Sequence, residues 1–221
     1  MGELRSRVRS AGDVVRFVGL PAFALRVFPW SFRREYAIFG QDLGRIVSFP
    51  PPAIPYRLAE GGHEDIPDIM ALRPGFYARE GLERRLADGH MVFVGRSEAK
   101  TVYCHWVLVG AANIPYAHGR LVLPPEAAYA DEAFVEPASR RSGIYAHSGA
   151  LIREALRSKG FRTLYAAVAS WNEVPRRFMV RSGMSEVARL WCRNVPGFTR
   201  VRWSGGVDVR EDGSFAFHAP A

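Results

Sequence analysis

The stretch richest in chemistry runs Asp131-Glu132-Ala133-Phe134-Val135-Glu136-Pro137-Ala138-Ser139-Arg140-Arg141-Ser142-Gly143-Ile144-Tyr145. Its order predicts a strand, a basic turn and the start of a helix. Such a turn presents backbone N–H groups at the positive end of a helix dipole. Arg140 and Arg141 add full charges beside it, so the site suits a pyrophosphate. Gly143 lets the backbone approach the phosphates, and Pro137 ends the strand by removing a ladder donor, leaving the preceding edge free for a ligand that pairs as a strand does. Metal and disulfide chemistry are poorly provided for. Cys104 and Cys192 lie far apart, with no Cys-x-x-Cys pair and no His at ligand spacing, so neither a zinc site nor a disulfide framework is expected. Both read as small apolar residues on strands.

The elements that must position this segment follow from pattern. Met91 to Arg96 and Lys100 to Val109 have the β-branched and aromatic content of strands, joined by the small polar run Arg96 to Ala99. Arg120 to Leu123, Tyr129 to Val135 and Thr163 to Ala169 read as strands too. Asp65 to Leu72, Gly81 to Asp88, Ser148 to Ser158 and Val174 to Ser182 read as helices, and Ala188 to Trp203 is rich in strand formers. A meander followed by strand, helix, strand, helix and strand describes one mixed α/β sheet with helices on its faces. The run Phe49-Pro50-Pro51-Pro52-Ala53-Ile54-Pro55 is stiff and serves as a linker or extended strap. Residues 1 to 45 interleave arginines with apolar and aromatic side chains and read as a basic amphipathic helix, interrupted by Pro21 and Pro29. That pattern fits a helix packed on its own domain or on a second subunit, and equally an anionic membrane interface. The expected division is a basic extension over 1–50, a core domain over 51–205 and a loosely held tail over 206–221.

Composition sets outer limits. The 221 residues suffice for one domain with an appendage. Net charge is +8, carried by 28 Arg and only 2 Lys, and favours anionic partners: nucleic acid, acidic lipid, an acidic carrier protein or a phosphorylated cofactor. The arginines are scattered and no RNA-binding sheet motif or recognition helix accompanies them, so nucleic acid is not expected. The opening residues lack the uninterrupted apolar core and cleavage site of a signal peptide, which gives cytoplasmic residence, with peripheral contact at the inner membrane as a variant, as the expectation.

The central segment resembles the GNAT (GCN5-related N-acetyltransferase) superfamily. That family's signature has Arg or Gln, two residues, Gly, one residue, then Gly or Ala, after a Val-x-Pro strand end. Val135-Glu136-Pro137, Arg140 and Gly143 match; Tyr145 stands where the family has a small residue. A second match follows about forty residues on: strand Thr163 to Ala169, then Asn172, then a helix ending Arg181-Ser182-Gly183-Met184, with Met184 in place of the usual Phe. The likeness covers roughly residues 56–190.

The resemblance implies a mostly antiparallel sheet splayed between two parallel strands, Tyr129 to Val135 and Thr163 to Ala169, with the pantetheine arm of acetyl-CoA or another acyl-CoA in the opening. Phe134 and Val135 would pair with the arm through their backbones. Arg140, Arg141, Ser142, Gly143, Ile144 and Tyr145 would cradle the pyrophosphate, and Asn172 would border the site. An amine or hydroxyl of a small-molecule, sugar or lipid-precursor acceptor would attack directly, with an acyl carrier protein as an alternative source of the acyl group. Asp131 and Glu132 are the candidate bases, with at most one pointing inward by alternation. The family's acidic Tyr falls on Met179, which cannot donate a proton, so Tyr145 or Tyr165 would substitute, or catalysis is weak and the chain is an acyl-CoA-binding sensor or scaffold. His105 and His118 are alternative bases. His147 caps the helix or touches phosphate, and Arg176 and Arg177 either reach a 3′-phosphate or line a solvated helix face.

Overall fold

The computed structural model describes residues 33–195 and 198–218. Twelve strands and four α-helices are described there, with short 3-10 turns between some of them. The strands are β1 (Arg33–Asp42), β2 (Arg57–Gly61), β3 (Met91–Ser97), β4 (Lys100–Val109), β5 (Ala111–Ile114), β6 (Gly119–Val122), β7 (Ala127–Val135), β8 (Thr163–Ala169), β9 (Ser185–Val195), β10 (Phe198–Trp203), β11 (Val207–Val209) and β12 (Phe215–Phe217). The helices are α1 (Ile66–Leu72), α2 (Arg79–Ala87), α3 (Ile144–Ser158) and α4 (Glu173–Arg181).

Eight strands form one sheet in the order β10-β9-β1-β8-β7-β4-β3-β2. Its pairs are antiparallel except β7 with β8, which run parallel from Ala127↔Thr163 to Ala130↔Ala166. Side-chain alternation sends the two faces to different partners. On one face Tyr103, Val107 and Leu164 pack with Ile144, Ile152 and Leu156 of α3, while Ala37, Phe39, Ala166 and Val168 pack with Met179 of α4. On the other, Cys104 and Trp106 meet Ile66 and Ile69 of α1 and Leu82 of α2. That second face also carries a four-stranded sheet, β11-β12-β6-β5, through Tyr129, Tyr165, Leu121, Phe215 and Phe217.

Two expectations from sequence are corrected here. Residues 33–42, read as part of a basic amphipathic helix and extension, form β1, hydrogen-bonded on both sides to β8 and β9. Ala37, Ile38 and Phe39 are all buried. A strand covered on both faces carries a continuous apolar run, and that run lacks the period-two signature that separates strand from helix. The part of that reading over residues 1–32 lies outside the described residues. The tail is likewise not loose: β12 pairs with β11 and β6, and Phe215 and Phe217 are buried in the core between the sheets.

Among the described residues no helix is long and apolar enough to cross a membrane.

Candidate active site

Beyond Ala130 and Ala166 the parallel strands separate. Each diverging arm is held by its outer neighbour, β7 by β4 through Tyr103↔Val135 and β8 by β1 through Tyr36↔Ala169. Among the described residues the inner edge of residues 131–135 is thus left without a strand partner. Between the arms lies a cavity of about 250 Å³, lined by Asp131, Glu132, Tyr145 and Asn172 among others.

The turn after β7 leads straight into this opening. Arg141 (φ 65°) and Gly143 (φ 95°) take left-handed conformations, and Gly143 is the N-cap of α3. Among the described residues the only side chain at that helix end is Ser142, whose Oγ accepts a long 3.5 Å bond from Ile144 N–H, so the dipole and the N–H groups that follow Ile144 remain available to an anion. Ser142 Oγ donates to the Ser139 carbonyl at 2.7 Å, and Arg140 Nε donates to the Val135 carbonyl at 3.4 Å, fixing the turn against the strand end. The proline run is a strap seated on this turn: Ala53 N–H donates to the Ser142 carbonyl at 2.7 Å. A Cβ on Gly143 would stand 3.3 Å from Pro52 Cα. Gly143 is therefore required for its φ and for the strap, beyond the expected approach to a phosphate.

Asp131 and Glu132 do not alternate. Trp106 on β4 stands opposite both, because the register passes from His105↔Ala133 to Val107↔Ala130. This bulge turns the two carboxylates to one side, where Arg85 Nη1 of α2 lies 3.3 Å from Asp131 and 3.5 Å from Glu132. The expectation that only one points inward is corrected accordingly. Burial raises the pKa of each, with Arg85 pulling the other way. Carboxyls held above their ordinary range are suited to taking a proton near neutral pH. Nearby, Tyr77 Oη, Trp106 Nε1 and Glu132 Oε2 are buried without a hydrogen-bond partner among the described residues.

Tyr145 enters the cavity from the first turn of α3 and packs edge-on against Phe178 of α4, centroids 4.8 Å apart. Burial raises its pKa, so the phenol keeps its proton. Asn172 is the N-cap of α4, with its side chain making no cap bond. Phe134 projects to the α1–α2 side, 5.3 Å from Arg73 and 5.6 Å from Arg140, whereas Val135 packs on the α3 side. Ile144 is buried beneath α3 and anchors its start.

The remaining candidates are placed as follows. His105 lines the cavity and shares a 2.9 Å hydrogen bond with Tyr103 Oη. Burial, with Arg153 adding to it, pushes its pKa down to about 3. His118 ends the 3-10 turn Pro115–Ala117 and is not among the cavity's lining residues. His147 bonds Tyr56 Oη, and Tyr165 donates to the His218 carbonyl. Arg177 pairs with Glu173, and Arg176 donates to the Ser170 carbonyl. Both cysteines are buried thiols that form no disulfide with each other. Sequence reasoning overlooked Arg85, Tyr103 and Arg153. A signal for Arg153 was present: Gly149, Ile152, Arg153 and Leu156 follow the spacing of a buried helical stripe, with one arginine set in it.

Solved structures share this fold. A protein from Drosophila superposes with a TM-score of 0.54 at 13% identity, over 75% of this chain and 52% of that one. A GNAT-family acetyltransferase from Colwellia psychrerythraea gives 0.53 at 12% identity, over 72% and 55%. A putative GNAT-family acetyltransferase from Novosphingobium aromaticivorans gives 0.50 at 18% identity, over 72% and 62%. The fold is that of the GNAT acetyltransferases. The chain matches only about half to three-fifths of the length of these three structures. No protein-family model matches the sequence, and no curated protein does.

Proposed function

We propose that this chain is a GNAT-type acyltransferase that moves an acetyl or longer acyl group from acyl-CoA to an amine or hydroxyl of a small-molecule acceptor. The observation that carries the reading is the separation of β7 from β8 directly beside the N-terminus of α3. An open strand edge and an anion site stand where a pantetheine arm and a pyrophosphate are joined in one ligand.

In this reading the pyrophosphate rests on the Arg140–Ile144 turn, and the arm runs along the free edge of residues 131–135. A backbone N–H on that edge polarises the thioester carbonyl. The acceptor approaches from the α2 side, where Asp131 and Glu132 stand. Its lone pair attacks the carbonyl carbon, its proton passes to one of the two carboxylates, and the C–S bond breaks. Tyr145, held protonated, supplies a proton to the departing thiolate. The +8 charge is compatible with CoA and equally with an acidic acyl carrier protein.

A second reading is an acyl-CoA-binding module without turnover. The observation favouring it is Met179, buried on the cavity wall at the place where the family's acidic tyrosine falls. Calorimetric titration with acetyl-CoA and a medium-chain acyl-CoA, repeated on Arg140→Ala, tests the donor site: binding weakened several-fold by the substitution is expected, and absence of binding by both donors overturns the reading. Thiol release on adding an amine panel then separates the enzyme from the binding module.

A further inference from the structure

Arg153 is the one arginine on the inner stripe of α3, and its side chain is 4% exposed. Nη2 donates to Ser182 Oγ at 3.1 Å and faces Met184 Sδ at 3.8 Å. Nε and Nη1 are buried with no hydrogen-bond partner among the described residues. The ionisable groups acting on the guanidinium among the described residues are the phenols of Tyr145 and Tyr103, with no carboxylate. A buried guanidinium in this state is costly, because it has given up water without gaining an anion.

Space has been left beside it. Arg153, Tyr103, His105 and Tyr145 line the cavity between the separating strands. Gly149, one helical turn earlier, makes room for the guanidinium: a Cβ there would come within 3.0 Å of Nη1. The side of the sheet matters as well. Arg153 lies on the α3–α4 face, whereas Asp131 and Glu132 contact Arg85 on the opposite face. A ligand entering from the Gly143 turn therefore reaches Arg153 with its donor end, while an acceptor meets the carboxylates.

We propose that Arg153 binds the free carboxylate of a dicarboxylic acyl group, making this a site for CoA half-thioesters of short diacids. The inference rests on the acyl-CoA reading above and names the class of acyl group within it. The carboxylate takes an unpaired N–H of Nη1, beside the Nη2 already held by Ser182, and pairs with the full charge of the guanidinium. The hydroxyl of Tyr103 is a further polar group lining the space. A plain alkyl chain of the same length leaves the charge as unpaired as it is without ligand, so selectivity comes from the pairing that the diacid gains.

The test is calorimetric titration of the full chain with CoA, butyryl-CoA and succinyl-CoA, the two esters having equal carbon number and differing in the terminal charge. Succinyl-CoA is expected to bind at least about tenfold tighter than butyryl-CoA. Arg153→Met should abolish that preference while leaving butyryl-CoA affinity within about threefold, and Arg153→Lys should retain part of it. The comparison on the unmodified chain stands even if a variant does not fold. Equal affinities for the two esters in the unmodified chain would overturn the inference and leave the donor site standing. Failure of all three CoA compounds to bind would overturn the donor reading and this inference together.

Discussion

Gly143 and Pro52 touch across a gap that a single methyl group would close: a Cβ on Gly143 would lie 3.3 Å from Pro52 Cα, on a backbone whose φ is 95°. The proline strap is thereby locked to the turn proposed to hold phosphate. Gly143→Ala should destabilise the chain by about 1–2 kcal/mol, from left-handed strain and the tightened contact. Urea unfolding measures it. A substitution without effect would mean that the turn relaxes freely.

Asp131 and Glu132 share Arg85 on one side of a bulge, so their contributions are separable only by turnover. Asp131→Asn is expected to lower kcat by about 10²-fold or more with donor affinity unchanged, and Glu132→Gln by less. Because burial raises both carboxyl pKa values, the acid limb of kcat/KM should lie above the usual carboxylate value of about 3.9. Steady-state kinetics against pH would show it. A larger loss for Glu132→Gln would reverse the assignment.

His105 should make the fold acid-sensitive. Its folded-state pKa of about 3 lies below the ordinary 6.5, so the unfolded chain binds the proton more readily. The stability involved is complete above about pH 6.5 and is lost as pH falls toward 3, amounting to about 1–2 kcal/mol at pH 5. His105→Gln, which can keep a hydrogen bond to Tyr103, should narrow the difference in urea midpoint between pH 7 and pH 5. An unchanged difference would show that other groups govern the acid response.

Phe217 joins the C-terminal strand to the main sheet, stacking near Tyr129 and Tyr165 at centroid distances of 6.3 and 5.1 Å. Phe217→Ala should cost about 3 kcal/mol or more through the cavity it leaves. Thermal melting checks this, and a loss under about 1 kcal/mol would return the segment to the status of a tail.

How much of this molecule its sequence determined depends on the range of the forces involved. The strand-turn-helix from Asp131 to Ser158, the strand Thr163–Ala169, and Asn172 at the head of α4 were legible because turn chemistry, helix capping and side-chain periodicity act within a few residues. Their order along the chain was enough to suggest the GNAT sheet. Three features were decided by tertiary structure alone. β1 is a strand because β8 and β9 supply its hydrogen bonds and cover both faces, which erases its periodicity. Asp131 and Glu132 point the same way because Trp106, on another strand, stands opposite both. Arg153 faces a cavity because α3 lies across the place where β7 and β8 part, so that a charged residue in an apolar stripe becomes a buried cation with room for an anion. In each case the deciding partner is distant in sequence, and strand pairing and helix docking, set by which apolar faces meet, bring it near.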